Sequence, residues 1–348
     1  MKRKVFTSII VSLCLGLALV GCSSSQVNSS EGNESATTPE KRVFKVAHIA
    51  SETHIWQETL ERFDEELQKR SNYRLSLQIF PNGTLGNEAD LMKQMAAGSL
   101  DMAAISVAEL TNRSSIFNAW FMPFLIKDPE HAVAMFDTEE AKEILSSLSG
   151  DAKIQGLGYL FVSSRDLIFK DKLIKNIADF KGMKLRVSPS PVVIDWWQTL
   201  GASPTPIPLP EVYTAFQTGV IDGIENSAEG MISQRYYEIS KNLTKTHHNM
   251  FVSVGFVSQE VWDSLTPDDQ KIVQEAFHEA QNYNEQLSLE QEAENLKKFE
   301  ELGGTIAEIE DQAELMELAE EFYNKYSSED EKIKAFIEKA RQIGNNDK

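Results

Sequence analysis

The sequence predicts an α/β protein of two lobes that ends in long helices, and three observations carry this reading. Residues 43–105 run strand, helix, strand, helix, strand, the order of a lobe built on a mainly parallel sheet. The same alternation begins again after Ile154. From Pro267 onward the pattern is charged and helical in period. A chain of 348 residues is long enough to bury two such cores.

The N-terminus comes first. Lys2, Arg3 and Lys4 precede a run from Val5 to Val20 that is apolar except for Thr7, Ser8, Ser12 and Gly16. That run is too short and interrupted for a comfortable membrane span, and it fits an export signal over residues 1–21. It ends in Leu19-Val20-Gly21-Cys22, which resembles a bacterial lipobox and implies cleavage before Cys22 and acylation of its thiol. Cys14 would leave with the signal, so no internal disulfide is expected. Residues 23–41 are almost wholly polar and cannot order themselves by burial. Residues 22–42 therefore read as a lipidated cysteine and flexible tether. Losing the three basic residues of the signal takes the net charge from −19 to −22. Such a balance argues against nucleic acid and against a basic membrane-binding face.

In the body, Val43 to Ile49 reads as a strand. Ile55, Trp56, Leu60, Phe63 and Leu67 recur at helical spacing. Leu75, Leu77 and Ile79 alternate as a strand ended by Pro81-Asn82-Gly83. A helix from about Asn87 to Ala97 is closed by Gly98, and Met102 to Ile105 is a short buried strand. Ile154 to Phe169 is strand-rich, with a turn expected at Ser163-Ser164-Arg165. Gly182 turns into a strand that contains Arg186. Pro191 to Leu200 is a helix, with its proline in the harmless first turn. Pro204, Pro206, Pro208 and Pro210 suggest an extended connector, followed by a helix from Glu211 to Thr218. Met95–Asp101 can be laid over Phe216–Asp222 as helix, Gly cap, aliphatic residue, Asp and strand. The two aspartates would start strands near the mouth of a cleft. Pro267 to Leu302, Glu314 to Tyr326 and Glu331 to Ile343 are the late helices.

Catalytic motifs are absent from the sequence. There is no phosphate-binding glycine loop, no Gly-x-Ser-x-Gly elbow, no Cys-x-x-Cys and no His-Glu-x-x-His. His247 and His248 are adjacent, so their side chains diverge and make a poor chelate. The expectation is a binding protein without enzyme activity, metal or cofactor.

Four stretches then carry a family resemblance. They are Phe80 to Glu88 followed by Met95 to Met102, Phe180 to Val187, Pro208 to Asn226, and Tyr236 through His247. In this order, behind a lipobox, they resemble the solute-binding subunits of tripartite ATP-independent periplasmic (TRAP) transporters. The resemblance runs from Val43 to about Leu265, and beyond that it is one of helical character. It implies a two-lobed, periplasmic-binding-protein type II-like fold that closes on a ligand and delivers it to membrane permease subunits. The expected lobes are 43–162 plus about 252–291, and about 163–251 plus 292–348. A monomer is the expected state, touching the membrane only through its lipid.

The resemblance also implies site residues. Arg186 is the first, as the arginine that grips a ligand carboxylate with a planar fork that lysine cannot reproduce. Arg165 is a second arginine, with a hinge salt bridge as its alternative. Asn226 would hydrogen-bond the ligand. Glu88 would face the cleft at a helix start or only complement that helix's dipole. His54 follows the first strand, where a binding lobe presents its loop, as do His48 and Ser51. Trp56 is expected in the lobe core with Leu60. One of Trp196 and Trp197 could wall the cleft, as could Phe124, Tyr213 and Phe251. The ligand is a small organic acid. Sugar acids such as uronates are favoured over four-carbon dicarboxylates, which would want both arginines. Capture for an ATP-driven importer, and a sensor or hydrolase on the same scaffold, are the competing readings.

Overall fold

The computed structural model describes residues 41–148 and 152–346. The expected signal and tether, Cys22 included, lie outside the described residues except for 41 and 42. The first five elements follow the sequence reading: β1 (Arg42–Ala47), α1 (Ile55–Arg70), β2 (Leu75–Phe80), α2 (Glu88–Ala96) and β3 (Met102–Ser106). Each helix start has a chemical cause. The His54 side chain caps α1, and Asn87 and Asp90 form a reciprocal capping box at α2. Next come α3 (Val107–Leu110), a 3-10 segment at Ser115–Phe121, α4 (Pro129–Phe136) and α5 (Glu139–Ser146), none of which the sequence reading named.

The second half contains β4 (Ile154–Phe169), β5 (Lys184–Val187), α6 (Pro191–Thr199), β6 (Ser203–Pro206), α7 (Leu209–Gln217), β7 (Gly223–Asn226), α8 (Ala228–Ser233) and β8 (Asn242–Ser258). Then follow α9 (Gln259–Ser264), α10 (Pro267–Glu301), β9 (Thr305–Glu308), α11 (Gln312–Ser327) and α12 (Glu331–Asn346). The proline connector is extended through β6 and Pro208, which precedes α7 at the N-cap position without a side-chain bond, and Pro210 sits in the first turn of that helix, where a missing N–H costs nothing.

The nine strands of the described residues form one mixed sheet in the order β2-β1-β3-β8-β4-β7-β5-β6, with β9 on the free flank of β8. Two parallel groups, β2-β1-β3 and β7-β5-β6, are spliced by the long antiparallel pair β4 and β8. The C-terminal half of β8 serves the first group, while the C-terminal end of β4 serves the second. This splice is the physical basis of the two-lobed architecture. Helix α10, 35 residues and thus about 52 Å long, packs against α1, β4 and α8 and bridges both groups. Its Phe277 lies over Gly255 of β8, where a Cβ would stand 2.3 Å from the ring.

The expected turn at Ser163-Ser164-Arg165 is not there. β4 runs straight through it, with register shifts between Phe161 and Ser163 and between Arg165 and Leu167. Such irregularities re-aim side chains without ending a strand. The Met95–Asp101 and Phe216–Asp222 segments do share a structure. Gly98 and Gly219 both take positive φ, at 69° and 76°. Asp101 accepts from the Lys45 amide at 2.7 Å, and Asp222 accepts from the Lys184 amide at 2.9 Å. Each aspartate thereby ties a neighbouring parallel strand, β1 at Lys45 and β5 at its first residue, Lys184. That is the end of the sheet opposite the cavity described next, so the expectation that they lie near a cleft mouth is corrected.

Candidate ligand-binding site

One cavity opens at the carboxyl ends of β1, β3, β5 and β7, where ligands collect in open α/β sheets. It holds about 150 Å³ of space reachable by water. Arg186, Arg165, Asn226, Glu88 and His54 all line it, so the five residues singled out in the sequence converge on one place.

Arg186 projects from β5 and is only 2% exposed. Its Nε donates to the Ile207 carbonyl at 2.9 Å and its Nη1 to the Glu225 carbonyl at 3.4 Å. Among the described residues no carboxylate forms an ion pair with it. Burial lowers the guanidinium to about 10, against the longer-range pull of Glu225 and Glu88, so it remains a cation at neutral pH, held in a nearly dry wall with no carboxylate in ion-pair contact among the described residues.

Arg165 is in the opposite situation. Its Nε and Nη2 donate to the two Glu225 carboxylate oxygens at 2.6 and 2.9 Å, a bidentate fork. Nη1 donates to Asn226 Oδ1 at 3.1 Å and Nη2 to Ser188 Oγ at 3.3 Å. The guanidinium carbon stands 4.2 Å from the centre of the Phe251 ring, a cation–π distance. Burial alone would raise the Glu225 carboxyl. The Arg165 charge and hydrogen bonds from His248 and Arg165 overrule that and hold it well below the carboxylate range. His248 Nε2 lies 3.4 Å from Glu225, with Nδ1 bonded to Thr246 Oγ1 at 2.8 Å. Arg165 is thus a fixed, internally neutralised group.

Asn226 ends β7. Its Oδ1 accepts from Arg165 and from the Ser227 amide, while its buried Nδ2 has no partner among the described residues. Asn226 lines the same cavity as Arg186, so this amide is the donor left for a ligand to meet. Glu88, at the first turn of α2, accepts from the Ser106 amide and from Ser106 Oγ at 2.8 Å. Burial raises its carboxyl to about 7 against those bonds.

His54 lines the cavity, with one ring nitrogen hydrogen-bonded on the protein side and the other close to a carboxyl. Nδ1 accepts from the Trp56 amide at 3.1 Å, and Nε2 lies 3.2 Å from Glu229 Oε2. Burial pushes His54 down to about 3 and Glu229 up to about 8. Their contact is therefore between neutral groups at pH 7.

Several wall assignments need correction. Trp56 is buried as expected, but it packs in the large core cluster apart from Leu60 and also lines the cavity. Neither Trp196 nor Trp197 walls it. Trp196 packs on Phe322 and Phe124, and Trp197 packs on Phe180 and His248. Phe124 lies with them, and half-buried Tyr213 bonds Glu238 at 2.8 Å. Of the three other aromatic candidates only Phe251 reaches the cavity. Sequence reasoning missed Glu225, although it adjoins Asn226 in a recognised stretch. It also missed Ser106 and Glu109, which lie at the β3–α3 junction. The signal there was a serine that ends a buried strand and caps a helix.

The sequence model of the bacterial extracellular solute-binding proteins, family 7, matches residues 46–330. A solute-binding protein of Roseobacter denitrificans is 32% identical over 84% of this chain and 88% of its own. The 2,3-diketo-L-gulonate-binding periplasmic protein YiaO of Escherichia coli is 30% identical over 75% of this chain and 79% of its own. A TRAP periplasmic solute-binding protein of Bradyrhizobium, solved in complex with α/β-D-galacturonate, is similar with a TM-score of 0.82 at 30% identity. That similarity covers 86% of this chain and 100% of the other.

Proposed function

The chain belongs to the family 7 extracellular solute-binding proteins, the binding proteins of TRAP transporters, and from that premise we propose that it captures a sugar acid with a single carboxylate and delivers it to a TRAP permease. Members of this family bind solutes for transport, and the chain is not an enzyme.

The observation that carries the ligand class is the unpaired Arg186 guanidinium. A carboxylate that accepts from its free N–H groups gives it a counter-ion in a place where water cannot screen it. Asn226 Nδ2 adds a second donor beside it. Arg165 contributes no net charge, because Glu225 already matches it. One available cation suits one carboxylate. A dicarboxylate would bring its second charge towards Glu88 and Glu109, the remaining acidic groups of the lining. Hydroxyl groups can instead donate to those carboxyls. The diketogulonate and galacturonate named for the relatives are acids of this kind.

In this reading the lobes comprise 43–162 plus about 252–291, and about 163–251 plus 292–348. Cys22 carries a lipid anchor, residues 23–41 tether the domain to the membrane, and the protein acts as a monomer. Thermal-shift measurements on protein beginning at Lys41 test the ligand class with uronates, aldonates, dicarboxylates and neutral sugars. An acid at about 1000 times its Kd stabilises by about 4 kcal/mol, a rise of several degrees. A response to neutral sugars alone would overturn the proposal. Loss of fatty-acid labelling in Cys22→Ala tests the anchor, and unchanged labelling would refute it.

A further inference from the structure

The cavity is bipolar, and we propose that Glu109 is a specificity-determining residue that accepts hydrogen bonds from ligand hydroxyls remote from the carboxylate. The inference rests on the sugar-acid reading above. Both cations of the lining, Arg165 and Arg186, come from β4 and β5. The wall contributed by β1, α1, α2, β3 and α3 presents carboxyl, hydroxyl and imidazole groups and no lysine or arginine among the described residues. A ligand whose carboxylate sits on Arg186 therefore turns its other end towards carboxyl groups.

Those groups are not equally available. Glu88 is held through both oxygens by Ser106, and His54 accepts the Trp56 amide on Nδ1 with Glu229 3.2 Å from Nε2. Glu109 is different. Its side chain is 10% exposed and lines the cavity, yet among the described residues its ion pair is a long hydrogen-bonded contact of 3.4 Å to Arg113, itself partly exposed. Burial raises its carboxyl against Arg113, Asn112 and Lys93. A desolvated carboxylate so weakly matched is stabilised by each hydroxyl that donates to it.

Its distance from the arginine is also set by the protein. Thr111 Oγ1, just past the end of α3, bonds Ser190 Oγ at 2.8 Å, and Asn112 Nδ2 donates to the Pro189 carbonyl at 2.7 Å. Pro189 and Ser190 follow β5, the strand that carries Arg186. These two bonds clasp the helix of Glu109 to the strand of Arg186 across the cavity mouth. The pair thus gauges ligand length, with a carboxylate at one end and a hydroxyl donor at the other.

Calorimetric titration of wild type, Glu109→Ala, Glu109→Gln and Arg113→Ala with a six-carbon uronate and a four-carbon aldonate tests this. A hydrogen-bonding site that loses its acceptor should weaken the uronate about tenfold or more in Glu109→Ala, and the four-carbon acid less than about threefold. Glu109→Gln, which keeps one acceptor oxygen, should fall between, and Arg113→Ala should stay within about twofold of wild type. An undiminished uronate affinity in Glu109→Ala overturns the inference. So does an equal loss for both acids, or an equal loss in Arg113→Ala, since either marks a structural role. Should Glu109→Ala not fold, Glu109→Gln decides by the same comparison. Wild-type protein that binds neither acid overturns the sugar-acid reading itself, and this inference with it.

Discussion

Arg186→Met separates a ligand-binding charge from a structural one, because the two roles predict opposite effects on stability. Arg186 is 2% exposed, and among the described residues it faces no carboxylate within ion-pair distance. Its fall from 12.5 to about 10 corresponds to a charge-burial cost of about 3 kcal/mol, at about 1.4 kcal/mol per unit. Methionine removes that cost and gives up two hydrogen bonds worth about 1 kcal/mol each. The ligand-free variant should therefore unfold in urea with a free energy equal to wild type or up to about 2 kcal/mol higher, as when buried charges yield to apolar groups. Binding should collapse. Removing one partner of a buried charge pair costs about 2–5 kcal/mol, so the Kd for a sugar acid should rise roughly 30- to 4000-fold by calorimetry. Arg165→Met supplies the contrast. It strands Glu225 in the wall without its fork, and breaking such a pair should destabilise the fold by about 3–5 kcal/mol. An Arg186→Met protein that binds within threefold of wild type would refute the carboxylate assignment. One that loses about 3 kcal/mol of stability would show that Arg186 is a structural ion.

Further outcomes follow from the same site and its supports. Asn226→Leu removes the free Nδ2 donor and should weaken sugar-acid binding by about 1.5–3 kcal/mol, the worth of a hydrogen bond to a charged group; an unchanged Kd would remove Asn226 from the ligand's contacts. Burial raises Glu229 from 4.5 to about 8, so the folded protein holds a proton that the unfolded chain releases. Its contribution is fully present below about pH 4.5 and is lost as the pH rises towards 8. Urea midpoints of Glu229→Gln should accordingly decline less between pH 5 and 8 than those of wild type, and parallel declines would contradict the assignment. Gly255→Val places side-chain carbon where Phe277 already lies, 2.3 Å from an ideal Cβ. Overpacking of this kind should cost about 1–3 kcal/mol or more, read as a lower thermal midpoint, while a neutral effect would mean that α10 seats loosely on β8.

The fold was legible where local chemistry acts alone. Apolar periodicity located α1 and the short parallel strands, because each buries one face against a neighbour close in sequence. Gly98 and Gly219 announced helix ends, because positive φ favours glycine. Legibility was partial at β4, whose span was read from Ile154 to Phe169 but was expected to turn in its middle, and it failed at β8. Both are buried along most of their length, so neither alternates. Ser163, Ser164 and Arg165 look like a turn because polar residues usually are one. Here they are buried in a strand whose irregular register lets them serve a site. A local pattern cannot distinguish a polar turn from a polar cavity wall, since the partners that satisfy the polar groups lie far away in sequence. Arg165 finds Glu225 sixty residues on.

The same limit governs the site. Arg186 and Arg165 look equivalent as arginines in strand-rich stretches, and each could plausibly grip a carboxylate. Their difference lies in Glu225. One carboxylate placed by β7 neutralises Arg165, orients it with help from His248, and lends only its backbone carbonyl to Arg186. Charge available to a ligand is a property of the pairing, and pairing is decided by which strands lie side by side. In the order β4-β7-β5, the strand that carries Glu225 is flanked by the two strands that carry the arginines. The Glu225 carboxylate forks onto Arg165 and makes no hydrogen bond to Arg186. The sheet topology thereby turns two similar residues into a fixed scaffold and an open anion site, and that asymmetry is why one carboxylate fits this cavity better than two.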